Sequence, residues 1–157
     1  PTTAAPTTPP PQVYVPGARA TIPGRVEFEN FDMGGEGVAY HDNEPANLGG
    51  EYRLADGVDI GSITGAYSVG ELLRYSISVP FSGWYLVRVQ AASPNRDAQG
   101  RILIELSPGA GLTMGSVSQQ MVVPDTTTWD SWVSAVTTPI PLSGKLKMIE
   151  GESILRN

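Results

Sequence analysis

The run LRYSISV over residues 73–79 alternates apolar and polar side chains without a break. Successive side chains of a strand point to opposite faces, so Leu73, Tyr75, Ile77 and Val79 share one face of a half-buried strand. Pro80-Phe81-Ser82-Gly83 reads as a turn. Residues 84–91 follow with Tyr85, Val87 and Val89 on one face, and the two runs read together as a hairpin. Residues 26–30, 101–106, 115–123, 132–138 and 145–149 read as further strands. Residues 33–47 and 93–100 are rich in Gly, Asp and Asn and read as shaped loops. The total is roughly nine or ten short strands spaced about 10–15 residues apart, with no helix, which predicts an all-β fold, a β-sandwich with jelly-roll or Greek-key connections.

Composition agrees. The 157 residues hold 14 Pro and 18 Gly, which end or weaken helices and favour frequent turns. A formal net charge of -6 argues against a nucleic-acid partner, whose phosphates it would repel. With no cysteine, stability comes from the core, with or without a metal, and not from disulfides. No apolar run approaches the roughly 20 residues of a membrane helix, and no membrane partner is expected.

The first residues, PTTAAPTTPPP, contain nothing to bury and favour extended polyproline II. Residues 1–21 therefore read as a Pro/Thr-rich linker and lead-in segment, and residues 22–157 as one domain. Linkers of this kind join modules of extracellular proteins, which predicts a secreted chain excised from a longer one.

Catalysis has little to draw on. His41 is the sole histidine, no nucleophile-elbow motif occurs, and a zinc site would lack His and Cys ligands. A glycosidase needs only two carboxylates, which Glu27, Glu29, Glu36, Asp42, Glu71 and Asp130 supply in principle. The aromatics are better explained by binding: sugars are held by stacking a ring on their C–H face and fanning hydrogen-bonding groups around the hydroxyl rim.

Trp129 and Trp132 lie in DTTTWDSWVSAV. Trp132 leads a strand and is the better core residue. Trp129 follows three threonines at a loop end, either as a stacking platform or as a cap on the core edge. Tyr67 follows a Gly-rich turn. Tyr40 is flanked by His41, Asp42 and Asn43, a cluster that reads equally as a sugar-gripping loop or as a turn held by Asx hydrogen bonds. Trp84 alternates away from its apolar neighbours and covers the other sheet surface. Glu27 and Glu29 alternate on one strand, so both carboxylates face one side; spacing alone favours a solvated edge over a metal site.

Taken in order, VEFENFD, GGEGVAYHDNEPANLGGEYR, DGVDI, VGELLRYSISVPFSGWYLVRVQAAS and WDSW resemble family 6 carbohydrate-binding modules, across nearly the whole of residues 22–157. The resemblance implies a non-catalytic β-jelly-roll with a structural calcium ion, Ca²⁺, at Glu27 and Glu29. It implies a ligand cleft in the loops at one edge, with Trp129, Tyr67 and the segment Tyr40, His41 and Asp42 in binding roles. The stretch before GELLRY is shorter than the family pattern, so Ala66 competes with Tyr67 for the aromatic position. Asn157 stands near a terminal position that serves sugar or calcium. The ligand class implied is polysaccharide, a β-glucan such as β-1,3-glucan, or xylan. The implied partner is a glycoside hydrolase in the same polypeptide, to which a monomeric module would bring substrate. A cell-wall or adhesion domain with no enzyme attached is the alternative, and a small glycosidase a more distant one.

Overall fold

A computed structural model describes residues 19–59, 70–94, 100–108 and 115–154, the side chains of 108 and 144–154 excepted. Eight strands and one 3₁₀ turn make up the regular structure of these residues.

The alternating run forms the central strand. Strand β3 (Leu72–Tyr85) buries Leu73, Tyr75, Ile77 and Val79 and leaves their neighbours half-buried. It pairs antiparallel with β8 (Ile140–Ile154), which pairs in turn with β5 (Gly100–Pro108), and β5 with β6 (Val117–Val123). Strand β1 (Ala20–Thr21) lies parallel to β3 on its other side, and β2 (Tyr40–His41) pairs with the start of β3. A second sheet joins β4 (Arg88–Ala91) to β7 (Val133–Val136). Inward residues of both sheets, among them Ile104, Leu106, Met121, Val89 and Ala135, form one core cluster. The fold is an all-β sandwich.

Three strand readings are corrected. Residues 26–30 do not form a strand: Phe28–Asn30 is a 3₁₀ turn closed by Asn30 N donating to Glu27 O at 3.0 Å. Its tertiary anchor is Tyr75, whose hydroxyl donates to Phe28 O at 2.9 Å. A long-range contact with β3 thus outweighs the alternating pattern.

Pro80–Gly83 is not a reversal, and no hairpin forms around it. β3 runs through this stretch with a register shift between Val79 and Gly83, then pairs Tyr85 with Ile140. Pro80 lacks the donor a regular ladder needs, and the irregularity absorbs that loss. The run 84–91 is split: Tyr85 ends β3 in one sheet and Arg88 opens β4 in the other. The inward parity still holds, with Val89 buried and Tyr85 and Val87 packed against the core.

Strand registers define the two ends of the sandwich. Leu72 pairs with His41 and Gly151, Arg101 with Ile154, and Gly100 with Val123, so these positions share one end. Tyr85 and Ile140 lie at the other. The loop that follows Val123, the long loop around β2 and the segment leaving β4 at Ala91 all gather at the first end. No helix among the described residues is long and apolar enough to cross a membrane.

Candidate functional site at the loop end

Trp129 sits on a turn built to hold it outward. Thr126 is buried; its hydroxyl accepts from Ser93 N at 2.9 Å and donates to Thr128 O at 2.9 Å, while Thr126 N donates to Ser93 O at 3.1 Å. Thr127 takes φ 67, and Asp125 Oδ1 accepts from its N–H at 2.8 Å. An Asx turn of this kind makes the left-handed conformation tolerable for a non-glycine residue. Thr128 and Ser131 hydroxyls meet at 3.0 Å across the tip. Trp129 between them is 50% exposed, on a backbone held by these bonds.

The loop around β2 supplies polar groups at the same end. Gly34, Gly35 and Gly37 all adopt positive φ and let the chain reverse before Tyr40. Glu36 then faces His41: Oε1 meets Nδ1 at 2.5 Å, and Oε2 accepts from Asp42 N at 3.0 Å. Partial burial pushes the Glu36 carboxyl up, but the hydrogen bonds from His41 and Asp42 and the nearby imidazole outweigh it, and the net shift is downward. Asp42 shifts the other way. Burial raises its carboxyl, the charges of Asp59 and Glu36 add to that, and hydrogen bonding from Glu44 N at 2.9 Å only partly offsets it. Asn43 Nδ2 donates to the buried Glu71 Oε1 at 3.3 Å, tying the loop to the start of β3.

Tyr40 does not take the binding role expected of it. Its ring is 6% exposed and packs edge-on against Phe31 at 5.6 Å between centroids, while its hydroxyl accepts from Gly57 N at 2.9 Å. A ring held on both sides offers no face to a sugar. His41 and Asp42 remain accessible beside it, and the loop is held partly by an Asx bond from Asp42, as the alternative reading of this segment has it. Tyr67 and Asn157 lie outside the described residues, as does Ala66.

Trp132 is corrected from core to surface. It is 63% exposed, because Val133 and Ala135 take the inward positions of β7 and parity sends 132, 134 and 136 outward. The inward small and branched residues of VSAV carry that signal in the sequence. Trp84 is also exposed, at 73%, opposite Pro141 on the far end of β3.

Glu27 and Glu29 do not alternate on a strand. Glu27 caps the 3₁₀ turn in extended conformation and pairs with Arg25 Nε at 2.8 Å, and Glu29 lies within the turn. Among the described residues no group of three or more acids or histidines is placed to hold a metal. Glu27 and Glu29 account for two of the six to eight oxygens that calcium takes, and Glu27 is paired with Arg25.

No family model matches the chain, and no curated protein matches it either. Among solved structures the chain is similar to the CBM35 from Cellvibrio japonicus Abf62, with 15% sequence identity and a TM-score of 0.43. The likeness covers 55% of this chain and 56% of that one, so it spans about half of that structure's length.

Proposed function

We propose that the chain is a non-catalytic carbohydrate-binding module that holds a polysaccharide in the loops at one end of its sandwich. The observation that carries this reading is Trp129: a half-exposed indole on a turn locked by four side-chain hydrogen bonds, at the end where His41 and Asp42 stand. Stacking needs a ring that is exposed yet held still, since ordering a mobile side chain on binding cancels part of the gain. The sequence resemblance to family 6 modules supports the same reading.

Within it, the ligand is a β-glucan such as β-1,3-glucan, or xylan. The Pro/Thr-rich segment joins the module to a glycoside hydrolase, and the chain acts outside the cell as a monomer. Tethering raises the concentration of the enzyme at insoluble substrate. A structural calcium belongs to the proposal as well: Glu27 and Glu29 would supply two oxygens, with the others drawn from groups beyond the described side chains.

Affinity electrophoresis through gels containing β-1,3-glucan, xylan, mixed-linkage glucan or agarose tests the reading. At least one should retard the protein, and incubation with that polysaccharide should release no reducing sugar. Migration unchanged in every gel overturns the binding role; release of reducing sugar overturns the non-catalytic one.

A further inference from the structure

A cleft of about 850 Å³ opens on the flank of the sandwich, where the segment 22–29 passes β4. It is separate from Trp129, which does not line it. Its depth is formed by inward residues of the larger sheet, Tyr75, Ile77, Ile104 and Leu106, with Val87 and Val89 from the opposite side. The tyrosine hydroxyls there are already committed: Tyr75 donates to Phe28 O at 2.9 Å and Tyr85 to Phe81 O at 2.5 Å. The depth is therefore apolar. Its mouth is not. Arg25, Glu27, Glu29, Arg88 and Gln90 ring the opening, and the exposed Trp132 stands beside them.

The volume falls within the roughly 300–1,000 Å³ of small-molecule sites. Water filling so apolar a space would lack the partners that make buried water favourable. A bare sugar would also be a poor occupant, because its hydroxyls would be buried without hydrogen bonds. An apolar tail or ring fits the depth, and the mouth specifies what it is attached to. The N–H donors of Arg88 and Gln90 there suit a neutral, hydroxylated head. The Arg88 guanidinium has no hydrogen-bond partner among the described residues, and Gln90 Oε1 accepts from Ser134 Oγ at 2.9 Å, which fixes its amide. Donors beside an indole suit a sugar ring: hydroxyls to Arg88 and Gln90, C–H face to Trp132.

We propose that this cleft is a second ligand site, taking amphiphilic glycosides with the apolar aglycone in the depth and the sugar against Trp132. The proposal extends the carbohydrate-binding reading to a different surface and a different ligand class. It predicts binding of a small alkyl glycoside even to a protein whose loop end has been disabled.

Isothermal titration with methyl, hexyl and octyl β-glucoside, each below its micelle threshold, tests it. Methyl glucoside should give no heat of binding, and affinity should rise from hexyl to octyl by about fourfold per added CH₂. Trp132→Ala should weaken octyl glucoside about tenfold or more, and Val26→Trp, which fills the cleft wall, should abolish it with an unchanged far-ultraviolet spectrum. Trp129→Ala and Trp84→Ala should leave it intact, the second excluding adhesion to an exposed ring elsewhere. Equal affinity across the chain-length series, or an octyl glucoside affinity indifferent to Trp132→Ala, overturns the site. Polysaccharide retardation by the loop end is measured separately, so a failure of either site is visible without the other.

Discussion

The Arg53 guanidinium lies over the Phe31 ring, 3.4 Å from its centroid. The same group donates to the carbonyls of Phe31 and Asp32, and its Nε meets Asp56 at 2.8 Å with both side chains largely buried. Arg53 thereby clamps the long loop onto the residues that lead into the core, and does so from φ 47, a conformation that costs a non-glycine residue energy. Arg53→Ala should destabilise the fold by about 2–4 kcal/mol, since it strands Asp56 and two carbonyls. Arg53→Lys should recover little of this, because an ammonium cannot stack flat and reach three acceptors at once. Urea denaturation of the three proteins measures both; a loss below about 0.5 kcal/mol for the alanine variant would contradict the clamp.

Tyr40 is held to be structural, and its variants should behave so. Tyr40→Phe deletes the acceptor of Gly57 N and should cost about 1 kcal/mol. Tyr40→Ala should cost about 3–5 kcal/mol through the cavity it leaves. Polysaccharide affinity of the folded Phe variant should equal that of the parent. A large affinity loss with unchanged melting would return Tyr40 to the binding surface.

Glu36 and Asp42 should titrate in opposite senses. The Glu36 carboxyl is lowered in the folded state, so its ionised form stabilises the fold at neutral pH, and that contribution fades as pH falls through its folded value. Asp42 is raised, so its ionisation opposes folding at neutral pH and ceases to as pH falls. At pH 7, Glu36→Gln should melt below the parent and Asp42→Asn above it, and both gaps should narrow in acid. Asp42→Asn should also bind polysaccharide more weakly, which separates a residue retained for a ligand from one retained for stability. Melting curves across pH decide the first point and affinity gels the second; Asp42→Asn that melts lower at pH 7 contradicts the account.

Calcium is tested by chelation. An ion at about one hundred times its dissociation constant adds about 2.7 kcal/mol to stability, so EDTA should lower the melting temperature by several degrees. Glu29→Ala should remove that sensitivity. Identical melting with and without chelator rules the ion out.

What the sequence made legible follows from how local each signal is. LRYSISV encodes β3 because its period of two has a single structural reading, and all four predicted inward residues are buried. VEFEN has the same period, yet the Tyr75 hydroxyl, 45 or more residues away along the chain, captures Phe28 O and a 3₁₀ turn results. PFSG carries turn residues, but β8 continues alongside and draws the strand onward. Trp129 was readable as a loop residue from its threonine run and neighbouring Asp130. Tyr40 was not readable as core, because the polar residues around it say nothing of Phe31 and Gly57, which bury it from outside. Trp132 was misleading for its size: a large ring suggests a core, whereas the parity of Val133 and Ala135 decides.

The account rests most heavily on Trp129, and one variant tests it. Trp129→Ala removes a stacking surface worth about 2–3 kcal/mol of affinity at roughly 25 cal/mol per Å² on both partners. The indole is half exposed and its turn is held by Thr126, Asp125 and Ser131, so the fold should not depend on it. Retardation in the gel that holds the parent protein, measured beside the melting temperature of the same sample, gives both quantities. The account predicts lost retardation with melting unchanged. Full retardation by Trp129→Ala would contradict it.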